Sequence, residues 1–126
     1  MPRCAVAADL RRIERRLLKL ALDYPDAWED HPWGENVVKV GKKIFVFFGI
    51  PQKGRLMVGV KLPDAAEFAL TFPFAEPTGY GMGKAGWVSC TFHTGDDPPV
   101  GILEDWIEES YRAVALKKLV KQLDER

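Results

Sequence analysis

His31 and His93 are the side chains that titrate near neutral pH and would serve as general acid or base. Neither stands at the spacing of a nucleophile pair or of a metal-ligand set. Glu29 and Asp30 are adjacent, so on an extended segment they point apart, a poor arrangement for sharing a proton. Cys4 and Cys90 lie far apart with no metal-type spacing and read as free thiols. Hydrolytic, metal-dependent and cofactor-dependent chemistry thus has no residue set behind it. The expectation is a non-enzyme with no cofactor and no metal; were a polar pocket to exist, Glu29, His31 and Lys84 would be the groups to line it.

The stretch Gly79-Tyr80-Gly81-Met82-Gly83-Lys84-Ala85-Gly86 matches the dinucleotide-binding spacing at Gly81, Gly83 and Gly86. That fingerprint works between a strand and a helix whose N-terminus faces the pyrophosphate, whereas here a strand follows. The phosphate-loop pattern fails as well, because Thr78 stands where its first glycine belongs and Ala85 follows Lys84. What remains is a tight, amide-rich connection carrying one lysine, able to touch a phosphate.

Charge placement says more than the total. Eighteen Lys+Arg balance eighteen Asp+Glu in 126 residues, so no long-range attraction to nucleic acid or to an anionic membrane follows from net charge. Yet residues 37–62 hold Lys39, Lys42, Lys43, Lys53, Arg55 and Lys61 without a single acid, while residues 21–35 hold Asp23, Asp26, Glu29, Asp30 and Glu35 without a Lys or Arg.

The elements that must position these groups follow from periodicity. Leu10, Ile13, Leu17 and Leu20 recur at helical spacing opposite Arg12, Arg15, Arg16 and Lys19, predicting an amphipathic helix over residues 9–22 whose basic face is solvated. Pro25 ends it, and an acidic connector follows. Residues 37–40 and 43–50 form a hairpin about Gly41-Lys42; a two-residue loop would put Lys39 on the face of Ile44, a three-residue loop beside Phe45. Residues 55–62 alternate, with Leu56, Val58, Val60 and Leu62 inward. A short helix starts after Pro63 and stops before Pro73. Residues 86–93 make the last strand, the segment from Thr94 to Pro99 caps a final helix, and the apolar stripe changes side near Ala115, which predicts a break there. In such a meander successive turns lie at opposite ends of the strands. Lys42, Lys43 and Lys61 therefore fall at one rim and Lys53 and Arg55 at the other; if the helix after Pro63 carries the chain back along the sheet, the glycine loop returns Lys84 to the first rim, a candidate anion site with Tyr80 and Trp87 as stacking groups.

Glu29-Asp30-His31-Pro32-Trp33-Gly34, then Val38-Lys39-Val40-Gly41-Lys42-Lys43-Ile44-Phe45, the glycine loop through Trp87, and Glu109-Ser110-Tyr111 together resemble the MmcQ/YjbR family over about residues 24–119. Glu29, Pro32, Trp33, Gly34 and Lys39 are the positions carrying the first part of the motif. The resemblance implies an α+β domain of order α-β-β-β-α-β-β-α, with a secretion-chaperone-like or frataxin-like layout. It also implies DNA binding through projecting hairpin wings and no established enzymatic activity. Where many members carry His, Asn and basic residues between the Tyr and the Trp, this chain has Gly81, Gly83, Ala85 and Gly86, which lowers the charge of one wing.

The expectation is one domain over residues 1–126, with residues 1–8 a flexible tail and 116–126 a helical tail. The N-terminus is too short in apolar residues for a signal peptide, and the apolar run at residues 44–48 falls far below the ~18 residues of a spanning helix, so the cytoplasm is the expected compartment and no membrane is involved. The functional expectation is weak, salt-sensitive DNA binding. The rival is a protein-interaction or homodimerisation module using an aromatic row of Phe45, Phe47, Met57 and Trp87 on an uncovered sheet face.

Overall fold

A computed structural model describes residues 7–79 and 81–126. Helix α1 (Ala7–Leu22) leads into β1 (Ala27–Asp30), β2 (Asn36–Val40), β3 (Lys43–Gly49) and β4 (Arg55–Lys61). Then come the short α2 (Ala66–Ala69), β5 (Ala75–Pro77), β6 (Trp87–His93), α3 (Val100–Val114) and α4 (Lys117–Asp124). The six strands form one sheet of order β1-β2-β3-β4-β6-β5, antiparallel throughout. This is the expected α+β layout with one strand added, because the acidic connector pairs with β2 as an edge strand. Among the described residues no helix is long and apolar enough to cross a membrane. Of the expected N-terminal tail, residues 1–6 lie outside the described residues and Ala7 opens α1.

The helices cover one face of the sheet. Leu56, Val58 and Val60 from β4 and Val88, Cys90 and Phe92 from β6 share the core with Leu10 and Leu17 of α1 and Leu103, Trp106, Ile107 and Tyr111 of α3. Burial pushes the Cys90 thiol up to about 12, so it stays protonated and inert at neutral pH. Ala115 and Leu116 are extended, which ends α3 and lets α4 turn Leu119 back into the core, so the break expected near Ala115 is present. The 94–99 segment does not cap α3 with a side chain: the N-cap is Pro99, and Asp96 instead accepts from the His93 amide at 2.7 Å.

Two irregularities in β3 decide what faces the core. Val38 pairs with Val46 and Lys39 with Ile44, so Phe45 is an extra residue; Asn36 pairs with Gly49 and Val37 with Phe47, so Phe48 is another. Both bulged side chains turn inward and are buried. The hairpin loop has two residues, Gly41 and Lys42, and Lys39 shares a face with Ile44. Phe45 consequently leaves the proposed aromatic row. Its ring lies in the core at 0% exposure, edge-on to Tyr111 with centroids 5.2 Å apart.

Candidate functional site

The strands bring the four expected lysines to one end of the sheet. Lys42 and Lys43 sit at the β2–β3 turn, Lys61 ends β4 opposite Trp87 at the start of β6, and Lys84 belongs to a 3-10 turn (Met82–Ala85) just before it. The Leu62 amide donates to the Gly86 carbonyl at 2.8 Å, which ties that turn to the end of β4. Gly86 takes φ +92, and a Cβ there would stand 3.2 Å from the Leu62 carbonyl oxygen, so a glycine is required for this approach. Among the described residues no carboxylate lies within ion-pair distance of Lys42, Lys43, Lys61 or Lys84. Tyr80, the other expected stacking group, lies outside the described residues.

Three consecutive residues of α3 hold this rim together. The β3–β4 ladder pairs Val46 with Val60, and the next rung would join Phe45 to Lys61. The Ser110 hydroxyl is inserted there instead: it accepts from the Lys61 amide at 2.8 Å and donates to the Phe45 carbonyl. Glu109 Oε2 accepts from the Asp64 and Ala65 amides, both at 3.0 Å, and so fixes the chain as it leaves β4. Tyr111 stacks on Tyr24 with centroids 4.8 Å apart and donates to the Pro25 carbonyl at 2.8 Å. Burial, and then the Glu108 charge, push the Tyr24 phenol up to about 12, so it remains a neutral packing group. The Glu109-Ser110-Tyr111 motif is therefore scaffold for the rim. Ser110→Ala strands a buried amide and a carbonyl, and urea unfolding should show a loss of about 1–3 kcal/mol. An unchanged midpoint would show that the ladder simply closes.

The Glu29-to-Gly34 part of the first motif lies toward the other end of the sheet, with Asp30 about 16 Å from the Lys42 turn at ~3.3 Å per residue. Asp30 pairs with Val37 and Asn36 with Gly49, far from the Lys42 turn. Lys39, two residues before Gly41, reaches along the edge of the sheet: its Nζ meets Asp30 Oδ2 at 2.7 Å and lies over the Trp28 ring, 5.2 Å from its centroid. That hydrogen bond, with one from the His31 amide, holds the Asp30 carboxyl below its usual range. Lys39 is thus a structural cation, unlike the rim lysines. His31 Nδ1 donates to Asn36 Oδ1 at 2.8 Å, because Asn36 Nδ2 donates to Glu14 Oε2 at 3.4 Å and fixes the amide orientation. Glu29 Oε2 lies 3.3 Å from His31 Nε2. Pro32 opens a 3-10 turn (Pro32–Gly34) in which Trp33 has φ 55 and Gly34 φ 80, and this left-handed pair projects Trp33 into solvent at 92% exposure. Glu29 and His31 are at this end and Lys84 at the other, so the three do not converge on one pocket.

One residue escaped the sequence reading. Glu14, on the same helix as the solvated basic residues, is buried, with Arg11 Nη1 3.0 Å from Oε1 and Asn36 on Oε2. Its position four after Leu10 and three before Leu17 is the signal that places it on the buried stripe. Arg12, Arg15, Arg16 and Lys19 are exposed as expected, and Arg16 pairs with Glu104 at 3.2 Å.

The YjbR family model matches residues 22–113, which span β1 through nearly the end of α3. No curated protein matches the chain.

Proposed function

The chain belongs to the YjbR family, and from that premise we propose that it is a nucleic-acid-binding protein, contacting the phosphate backbone through Lys42, Lys43, Lys61 and Lys84. The observation that carries the reading is the gathering of these four lysines from three separate chain segments at one sheet end, with no carboxylate within ion-pair distance among the described residues. Cations held without partners on a scaffold as rigid as the Ser110 bridge are what a polyanion needs, and neutralising phosphates releases counterions. A binding role rather than catalysis is part of the proposal, as is a reducing, cytoplasmic setting, which suits the buried free thiol of Cys90.

Four lysines make weak contacts and a definite salt signature. Anisotropy titrations of a labelled oligonucleotide across a salt series should give a slope of log K on log salt of roughly −3 to −4 for four phosphate contacts. A flat dependence, or no binding at the lowest salt, would refute the proposal.

A further inference from the structure

The sheet face turned away from the helices points to the class of nucleic acid. Pairing sets Arg55, Met57, Gly59 and Lys61 of β4 on that face, with Phe47 of β3 opposite Gly59 and Trp87, Ser89, Thr91 and His93 of β6 opposite β4. Phe47, Met57 and Trp87 are all only partly buried and lie outside the core cluster. Gly59 makes room for an aromatic ring: a Cβ there would fall 1.9 Å from the Phe47 ring tip, so the ring occupies the space of the missing side chain. Trp87 joins it with centroids 5.7 Å apart, forming an aromatic pair beside Lys61.

The charge on this surface is one-sided. β3, β4 and β6 contain no Asp or Glu, while Arg55 and Lys61 on this face are cationic and Lys43 stands at the strand end on the side of Val40. Acids bound the face on both sides: Asp30 of β1, already held by Lys39, and Glu76 of β5, opposite Ser89. A ligand is thereby confined to the central three strands, running along them from the lysine rim toward Arg55. Rings beside cations on an open antiparallel sheet suit unstacked bases with their phosphates, whereas a duplex keeps its bases stacked inside and offers none to Phe47 or Trp87.

We infer that the ligand of the lysine rim is single-stranded nucleic acid, whose bases stack on Phe47 and Trp87 across the outer sheet face. The inference rests on the rim reading above and adds the strand class and the stacking residues. The test compares a labelled single-stranded oligonucleotide with its own duplex, for wild type, Phe47→Leu and the triple variant K42E/K43E/K84E. Single strand should bind about tenfold tighter, and Phe47→Leu, which keeps an apolar side chain over Gly59, should remove about that factor for single strand and leave duplex unaffected. Tryptophan quenching by the unlabelled single strand, diminished in Trp87→Phe, reads the same contact independently of the leucine variant's stability. Equal affinity for both forms with Phe47→Leu silent overturns the inference, and the rim reading survives if the triple variant still loses binding. Binding that ignores the triple variant overturns both. Self-association abolished by Phe47→Leu, with nucleic-acid binding unchanged, makes the face a protein contact and also overturns it.

Discussion

Tyr111→Ala is expected to lower stability by about 3–5 kcal/mol, the cost of emptying a fully buried aromatic site in a core that cannot collapse around it. The ring is 0% exposed, stacked on Tyr24 and edge-on to Phe45, so its removal separates the end of α1 from β3 and α3 at once. For a chain of this size the loss corresponds to a fall in Tm of roughly 10–20 °C. Tyr111→Phe keeps the stacking and gives up the bond to the Pro25 carbonyl, so it should cost only about 0.5–1.5 kcal/mol. Calorimetry of the two variants separates packing from hydrogen bonding, and equal, small losses would show that the cluster is not what joins these elements.

The second large effect is on binding. At about 0.1 M salt each phosphate contact contributes about 0.7 log unit for a single strand and about 0.9 for duplex, so deleting three contacts lowers affinity on the order of 100-fold or more. K42E/K43E/K84E replaces three cations by anions, which adds repulsion to the loss. For a weak binder this means no measurable retention. The three side chains are exposed and make no ion pair among the described residues, so stability should stay within about 0.5 kcal/mol of wild type. Charge reversal of Arg12, Arg15 and Lys19 on α1 is the matched control and should leave affinity within a few-fold of wild type.

The rim was readable because it follows from connectivity. β4 and β6 alternate cleanly, Gly41-Lys42 marks a hairpin turn whose two-residue length the structure decides, and antiparallel order then fixes which turns share an end. The break at Ala115 was equally visible, since an apolar stripe cannot cross a helix without one. The inward turn of Phe45 and Phe48 was not, because a bulge leaves no mark in an unbroken run of β-forming residues; here Ser110, 65 positions away, supplies the partner for the displaced Phe45 carbonyl. Nor was β1, whose four residues carry two acids and no alternation. It is held by cross-strand contacts, the Trp28 indole donating to the Gly41 carbonyl at 2.8 Å and Asp30 accepting from Lys39, and these depend on a neighbour strand that local pattern cannot show. The same holds for Lys39, counted with the basic residues from sequence and neutralised in the fold.

Amide chemical shifts followed during titration with a short single-stranded oligonucleotide would locate the ligand on the molecule residue by residue. Shifts should concentrate at Gly41 to Lys43, Lys61 and Leu62, and Gly83 to Trp87, fade as salt rises, and disappear in K42E/K43E/K84E. Perturbations confined to the exposed face of α1 or to the Trp33 turn, with the lysine end silent, would contradict the assignment of this rim as the binding surface.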